Sequence, residues 1–385
     1  MNRFIAPLVV LVSLVLGAQV SAQQLLSQSI THQGMQRDYL IYIPATYDAS
    51  QAVPLLFNFH GYTSTASAQL ATSDMRPIAD TANFLLVYPQ GALFGNSTHW
   101  NVGSWTLGST VDDLGFVDDL IDTLAAAYNL DLERVYACGF SNGGFFSFAL
   151  ACGLSARIAA VASVAATMTQ ETTQSCQPVH PTAILTMHGT ADVLVRYTGG
   201  FPPNVSSVNQ VINYWSSYNN TNPSPSQVNL PDLDPNDGST VEKVVYSQGD
   251  SCTTVEHYRI VNGGHSWPGN TGNMDIDANT IIWNFLSQYS LNGRIECDQS
   301  LSQMQPGRMQ NKLAVYPNPG KGPFQVEIAA EDLPLAYQLY SPQGQLLQSG
   351  HFAQREDRLE LPVDAAGLYL LRTALGVHRL LVVND

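Results

Sequence analysis

Residues 133–144 read Glu-Arg-Val-Tyr-Ala-Cys-Gly-Phe-Ser-Asn-Gly-Gly. Within them, Gly139-Phe140-Ser141-Asn142-Gly143 fits the pattern Gly-x-Ser-x-Gly. A short apolar run of strand character precedes it, and an apolar run of helical character, Phe145 to Cys152, follows it. Strand, tight turn and helix is the setting in which such a serine becomes a nucleophile. Side chains in place of Gly139 and Gly143 would collide with the neighbouring strand and helix. The strained turn lifts the serine oxygen clear of the backbone at the start of a helix. There the helix end and the amide of Asn142 can stabilise negative charge. Ordinary Gly/Ser turns also produce this pattern, so the argument needs partners. A serine hydroxyl is a weak nucleophile that requires a base, and the base requires an orienting carboxylate.

Two downstream stretches supply an acid and then a base. Residues 183–188 (Ala-Ile-Leu-Thr-Met-His) read as a short apolar strand, followed by Gly189-Thr190-Ala191-Asp192. Asp192 therefore lies just beyond a strand's C-terminal end, where open α/β sheets place their sites. Tyr258-Arg259-Ile260-Val261 reads as a later strand, and residues 262–269 form a glycine-rich loop that carries His265. The chain has nine histidines, and a lone histidine is more often structural than catalytic. His265 stands apart because it follows a strand, on a loop, after the serine and the acid. Upstream, Pro54 to Phe59 is another buried-strand run, ending in His60-Gly61-Tyr62-Thr63. A turn there can aim the backbone amide of Tyr62 at the same developing oxyanion as that of Asn142. The donor is an amide, so the side chain of His60 need take no part.

Together with Val111-Asp112-Asp113-Leu114-Gly115-Phe116 and Gly264-His265-Ser266-Trp267-Pro268-Gly269, these motifs resemble the secreted esterases grouped with polyhydroxybutyrate depolymerases. That group includes feruloyl and acetylxylan esterases. The resemblance covers roughly residues 25–290, with five motifs in order. It implies an α/β-hydrolase fold, a triad of Ser141, Asp192 and His265, and no cofactor or metal. It leaves the substrate open between polyesters and plant-wall esters. Members of the group often pair a cysteine before the final strands with one near Cys252; here that earlier region reads Tyr218-Asn219-Asn220-Thr221, so that pairing lacks its partner.

A sheet must hold these groups. Strand-like runs at 38–43, 54–59, 83–88, 134–138, 159–164, 183–188 and 255–261 alternate with helix-like segments, among them 111–128, 142–152, 207–218 and 277–289. The alternation predicts a doubly wound, mostly parallel sheet with helices on both faces. Residues 197–240 are rich in Gly, Pro, Asn and Ser. They read as a long insertion between acid and base, favouring a lid over an idle surface excursion. Trp100, Trp105 and Trp267 are candidate substrate-stacking residues, with burial in the core as the alternative. Asp112, Asp113, Asp118, Asp119 and Asp122 invite a metal reading, but apolar residues at helical spacing between them favour the solvated face and capped start of a helix.

The 385-residue chain carries a net charge of −15. Residues 23–291 hold 7 basic and 21 acidic side chains and so account for most of it. An acidic surface repels phosphate backbones and excludes a nucleic-acid partner, although simple solubility explains much of the bias. The first 22 residues read as an export signal: Arg3, an apolar core from Leu8 to Leu16, and the small-residue cleavage site Val20-Ser21-Ala22. A membrane anchor is disfavoured because the apolar core is short for a span. Export places the five cysteines in an oxidising compartment. Cys152 and Cys176 are the expected pair, and Cys138, in a buried strand, the expected free thiol.

Residues 292–311 are polar and read as a linker. From 312 to 385, seven strand-like runs separated by Gly, Pro and Asp turns predict a small all-β sandwich. Tyr316-Pro317-Asn318-Pro319, Tyr340-Ser341-Pro342-Gln343-Gly344 and Ala366-Gly367-Leu368-Tyr369 resemble the C-terminal sorting domain of the type IX secretion system. The resemblance implies engagement of that secretion machinery, passage across an outer membrane, and release or surface attachment. The sequence thus leads to a signal segment (1–22), an α/β-hydrolase unit (23–291), a linker (292–311) and a sorting domain (312–385). The expected activity is that of a secreted, monomeric serine carboxylic-ester hydrolase resembling polyhydroxybutyrate depolymerases. The alternatives are a feruloyl or acetylxylan esterase, a catalytically silent binding module on a hydrolase scaffold, and a peptidase on the same fold.

Overall fold

The computed structural model describes residues 23–297 and, towards the C-terminus, 313–316, 323–328, 333–341, 346–361, 367–373 and 376–382. The export segment 1–22, most of the linker and several turns of the sorting module lie outside the described residues. The chain divides into two compact units, Met1–Gln299 and Ser300–Asp385.

The first unit opens with an antiparallel hairpin, β1 (Gln24–His32) and β2 (Met35–Ile43). Gln33 and Gly34 form its two-residue turn with φ of 48° and 78°, the left-handed pair that matches strand twist. β3 (Val53–Phe59) is buried at every position, as a central parallel strand covered on both faces must be. The chain then runs through α1 (Ala66–Thr72), α2 (Arg76–Ala82), β4 (Leu85–Pro89) and a small hairpin of β5 (Ala92–Phe94) and β6 (Ser97–His99). α3 (Asp113–Ala127) follows. Its N-cap Asp112 accepts from the Gly115 amide, and its buried stripe is Phe116, Val117, Leu120, Ile121 and Leu124. Then come β7 (Leu130–Phe140), α4 (Asn142–Gly153), β8 (Ala160–Val164), α5 (Gln170–Ser175) and β9 (Ala183–Gly189). α6 (Val208–Tyr218), started by a Ser207–Gln210 capping box, leads to β10 (Ser226–Asn229), β11 (Thr240–Tyr246), β12 (Val255–Val261) and α7 (Ala278–Leu286).

The ten strands line up as β1-β2-β4-β3-β7-β8-β9-β12-β11-β10. The six from β4 to β12 are parallel, and antiparallel strands flank them on either side. One apolar core, with α3, α4 and α6, covers one face; a second, with α1, α2 and α7, covers the other. This is the α/β-hydrolase arrangement. Strand order reverses between β3 and β7, so the loops after those two strands open on either side of one crevice, the position where such sheets bind ligands.

The 197–240 stretch departs from the lid expectation. α6 buries Val208, Val211, Ile212 and Trp215 in the first core, and β10 extends the sheet as its edge strand. Before α6, the chain is fastened by Ser104 Oγ donating to the Pro203 carbonyl and by the Gln170 amide on Asn204 O at 2.9 Å. Cys152 pairs with Cys176, and Cys138 is free and buried, both as expected. Cys252, whose expected partner region holds no cysteine, is nonetheless bonded, to Cys297.

In the second unit, a three-stranded sheet of β13 (Leu313–Tyr316), β14 (Phe324–Ile328) and β17 (Glu356–Leu359) shares one apolar core with a four-stranded sheet. The latter comprises β15 (Leu335–Tyr340), β16 (Leu346–Phe352), β18 (Gly367–Thr373) and β19 (Gly376–Val382). Phe324, Val326 and Ile328 point inward and alternate with exposed neighbours, the pattern of a sandwich strand.

Candidate active site

Ser141 stands between β7 and α4 with φ 52° and ψ −118°, a conformation L-residues rarely hold without support. Support comes from its backbone: the amide donates to Val164 O at 2.9 Å, and the carbonyl accepts from Gly144 N and Phe145 N. The glycines have distinct reasons. A Cβ on Gly143 would strike the carbonyl of Phe59 on β3, and one on Gly139 would strike the backbone of Gly143.

Asp192 ends a turn after β9 and is 4% exposed. Its Oδ1 accepts from the amides of Leu194 and Val195 at 2.9 and 2.8 Å, which leaves Oδ2 to accept from His265 Nδ1 at 2.7 Å. Burial raises its pKa, but the His265 hydrogen bond and charge together with the Val195 amide outweigh that, so the carboxyl lies below its ordinary range. The Asp192 loop is stitched to the His265 loop by Ala191 N on Gly263 O at 2.9 Å. With Nδ1 committed to the acid, His265 Nε2 is the nitrogen left to take a proton. The imidazole lies against the Phe140 ring at 4.9 Å, one residue from Ser141. Ser141 Oγ makes no hydrogen bond among the described residues. Such contacts often tighten only with substrate in place.

Across the crevice, a Cβ on Gly61 would lie 3.4 Å from Ser141 Cβ, so the turn after β3 abuts the serine. Tyr62 follows, and its amide makes no hydrogen bond among the described residues. The amide of Asn142, first residue of α4, has no intrahelical acceptor. His60 holds this turn: its Nε2 accepts from Gly91 N at 2.9 Å, and its Nδ1 donates to Gly61 O at 2.7 Å. Burial pushes its pKa down to about 4, so it stays neutral.

Two of the three tryptophans correct the stacking expectation. Trp100 is 0% and Trp267 1% exposed. The Asn142 side chain clasps the Trp100 backbone, Oδ1 accepting from its N at 2.7 Å and Nδ2 donating to its O at 3.0 Å. The Trp100 indole N–H then donates to His60 O at 3.0 Å. Trp100 therefore ties the serine turn to the Tyr62 turn and is closed to substrate. Trp267 is spent on Asn279 Oδ1 at 3.1 Å. Trp105 is half-buried beside Tyr62, with ring centres 5.4 Å apart, and stays at the crevice.

The acidic group around α3 also differs from a uniformly solvated face. Asp118 and Asp122 pair with Arg157, and Asp119 accepts from His32. Asp113 is buried with Arg37 at 2.6 Å and accepts from Asn101 N at 2.7 Å, bracing the loop that carries Trp100. His188, which no sequence motif marks as part of the site, is buried behind Asp192, with Nε2 on Val195 O at 2.8 Å and 3.5 Å from Asp192 Oδ2.

Burial also depresses the pKa of His257, to about 3, and that of His188. Below the ordinary value of 6.5, the unfolded chain takes up protons at His60, His188 and His257 that the folded chain refuses. Stability therefore falls as pH drops from 6.5 towards 4, and Asp192 adds to the loss below its ordinary 3.8. The unfolding temperature should decline over that window, with net proton uptake on unfolding at pH 5. A flat profile would contradict the burial of these imidazoles as neutral groups.

A strand order that reverses over the serine turn, with acid and imidazole at successive strand ends, defines the α/β-hydrolase class. Residues 314–379 match the family described as the secretion system C-terminal sorting domain. The chain is 28% identical over 265 residues to the bifunctional acetylxylan esterase/xylanase XynS20E of Neocallimastix patriciarum, covering 68% of this chain and 35% of that protein. It is 28% identical over 265 residues to feruloyl esterase B of Piromyces equi, covering 66% and 46%. The chain thus spans less than half the length of these relatives. Among solved structures, an acetyl xylan esterase from Aspergillus awamori aligns with a TM-score of 0.49 and 14% identity, over 68% of this chain and 98% of that one.

Proposed function

We propose that this protein is an exported serine carboxylic-ester hydrolase. The observation that carries the reading is the 2.7 Å bond from His265 Nδ1 to a buried Asp192 carboxylate, on the loop facing a serine held at φ 52°. His265 Nε2 takes the Ser141 proton, Ser141 Oγ attacks the ester carbonyl, and the amides of Tyr62 and Asn142 hold the oxyanion. His265 then protonates the leaving alcohol, and water repeats the cycle on the acyl-enzyme. Asp192 selects the tautomer that keeps Nε2 available. Every step uses this chain's own groups and calls for no cofactor.

The sorting-domain match supports export through a secretion machinery, with the N-terminal 22 residues as the signal for the first membrane. The named relatives favour acyl groups carried on plant polysaccharide, and polyesters are the second substrate class. A panel of p-nitrophenyl esters, feruloylated sugars, acetylated xylan and polyhydroxybutyrate tests both levels. Hydrolysis of none of them overturns the hydrolase reading, and the member turned over fastest names the class. A serine peptidase would also turn over activated p-nitrophenyl esters, so it is told apart by cleaving peptide bonds while leaving the feruloylated sugars, acetylated xylan and polyhydroxybutyrate intact.

The first unit has its own two cores, so a chain ending at Gln310 should unfold cooperatively and keep its activity on small esters. Loss of cooperative unfolding would mean that the C-terminal unit is needed for stability and not only for sorting.

A further inference from the structure

A cleft of about 470 Å³, within the usual range of small-molecule sites, lies between α6 and the antiparallel strands beyond β12. The proposed chemistry makes no use of it. Asn209 and Asn213 line it from α6, and Pro225 and Gln227 from the edge-strand side. Val244 of β11 and His257 of β12 also line it, with two tyrosines, Tyr197 and Tyr246. Glu242 and Arg259 supply its charges, and they neutralise each other at 2.9 Å. Both ring nitrogens of His257 are engaged, with Thr186 Oγ1 at 2.6 Å and the Tyr197 hydroxyl at 2.8 Å. His257 therefore anchors Tyr197. The Tyr197 ring in turn packs edge-on against His188 at 5.8 Å, the residue directly behind Asp192.

This lining offers carboxamides, which both donate and accept, together with aromatic rings and a cancelled ion pair. An anion would meet Glu242 and a strongly acidic protein. A polyester or lipid would strip water from the carboxamides and give too few partners back. A neutral polyhydroxylated chain matches both demands. The geometry points to an accessory carbohydrate site, in which this cleft grips the oligosaccharide that carries the ester. The inference rests on the polysaccharide arm of the proposed function and makes the flank of the sheet, rather than a lid, the device that selects polymer.

The test uses the full, unmodified chain, titrated calorimetrically with deacetylated xylohexaose and, separately, cellohexaose, neither of which carries an ester for Ser141 to attack. Saturable binding at millimolar concentration or below is expected for at least one. Adding Asn213→Ala and Gln227→Ala, two exposed positions, should weaken it about tenfold while the unfolding temperature stays unchanged. Failure of both sugars to bind overturns the proposal, as does binding indifferent to the double substitution. Neither result touches the hydrolase reading, which stands or falls separately on p-nitrophenyl ester turnover by the unmodified chain.

Discussion

Ser141→Ala should reduce ester hydrolysis by about 10⁴-fold or more while leaving the fold intact, because removal of a triad nucleophile forfeits the acyl-enzyme route. The fold should survive because the bonds that stabilise this turn come from the backbone: Ser141 N on Val164 O, and Ser141 O accepting from Gly144 and Phe145. Alanine keeps all three and fits the same φ about as well as serine. Turnover of a soluble p-nitrophenyl ester and thermal unfolding, measured on the same preparation, check both halves. Activity within tenfold of the parent, in a sample free of contaminating esterase, would remove Ser141 from the mechanism.

Asp192→Asn is the second large effect. The Asn carbonyl can still accept from Leu194 and Val195, so the turn should hold. Its NH₂ then faces His265 Nδ1, which no longer finds an acceptor and is driven to the tautomer with its proton on Nε2. That proton blocks the base, and no charge remains to stabilise the imidazolium. Turnover should fall by orders of magnitude, with about 10⁴-fold as the serine-protease precedent, while KM moves little. Asp112→Asn and Asp237→Asn serve as comparisons. Asparagine caps a helix as well as aspartate does at 112, and Asp237 accepts from Ser239 and Met274 in a surface loop. If Asp237→Asn lost turnover and Asp192→Asn kept it, the orienting acid would lie on the other loop.

The serine turn is legible in sequence because its constraint is local: the two glycines lie within two residues of Ser141, and the strand and helix adjoin them. Asp192 and His265 are legible because each follows a strand and chain order follows sheet order. What stayed hidden depends on partners far along the chain. Asp113 resembles Asp112 and Asp118 in sequence, and only Arg37, 76 positions away, separates the buried residue from the solvated ones. Trp100 resembles an exposed platform until the Asn142 side chain is seen gripping its backbone. β1 left no alternating signal because six of its nine residues are exposed on an edge strand, and only Leu26, Ile30 and His32 turn inward. The 197–240 insertion hid its order behind composition: proline and glycine fill its connections, while α6 and β10 occupy the stretches between them.

The bond between Cys252 and Cys297 closes a loop of 45 residues just before the boundary at Gln299. It ties the tail of the first unit to the start of β12, next to the short turn where Gly293 packs on Ser251. Fraying that begins beyond Cys297 therefore stops at a covalent staple before it reaches α7. In a reducing cytoplasm the staple is open, and in an oxidising exterior it persists. The C-terminal end of the first unit is thereby secured against fraying only in an oxidising compartment.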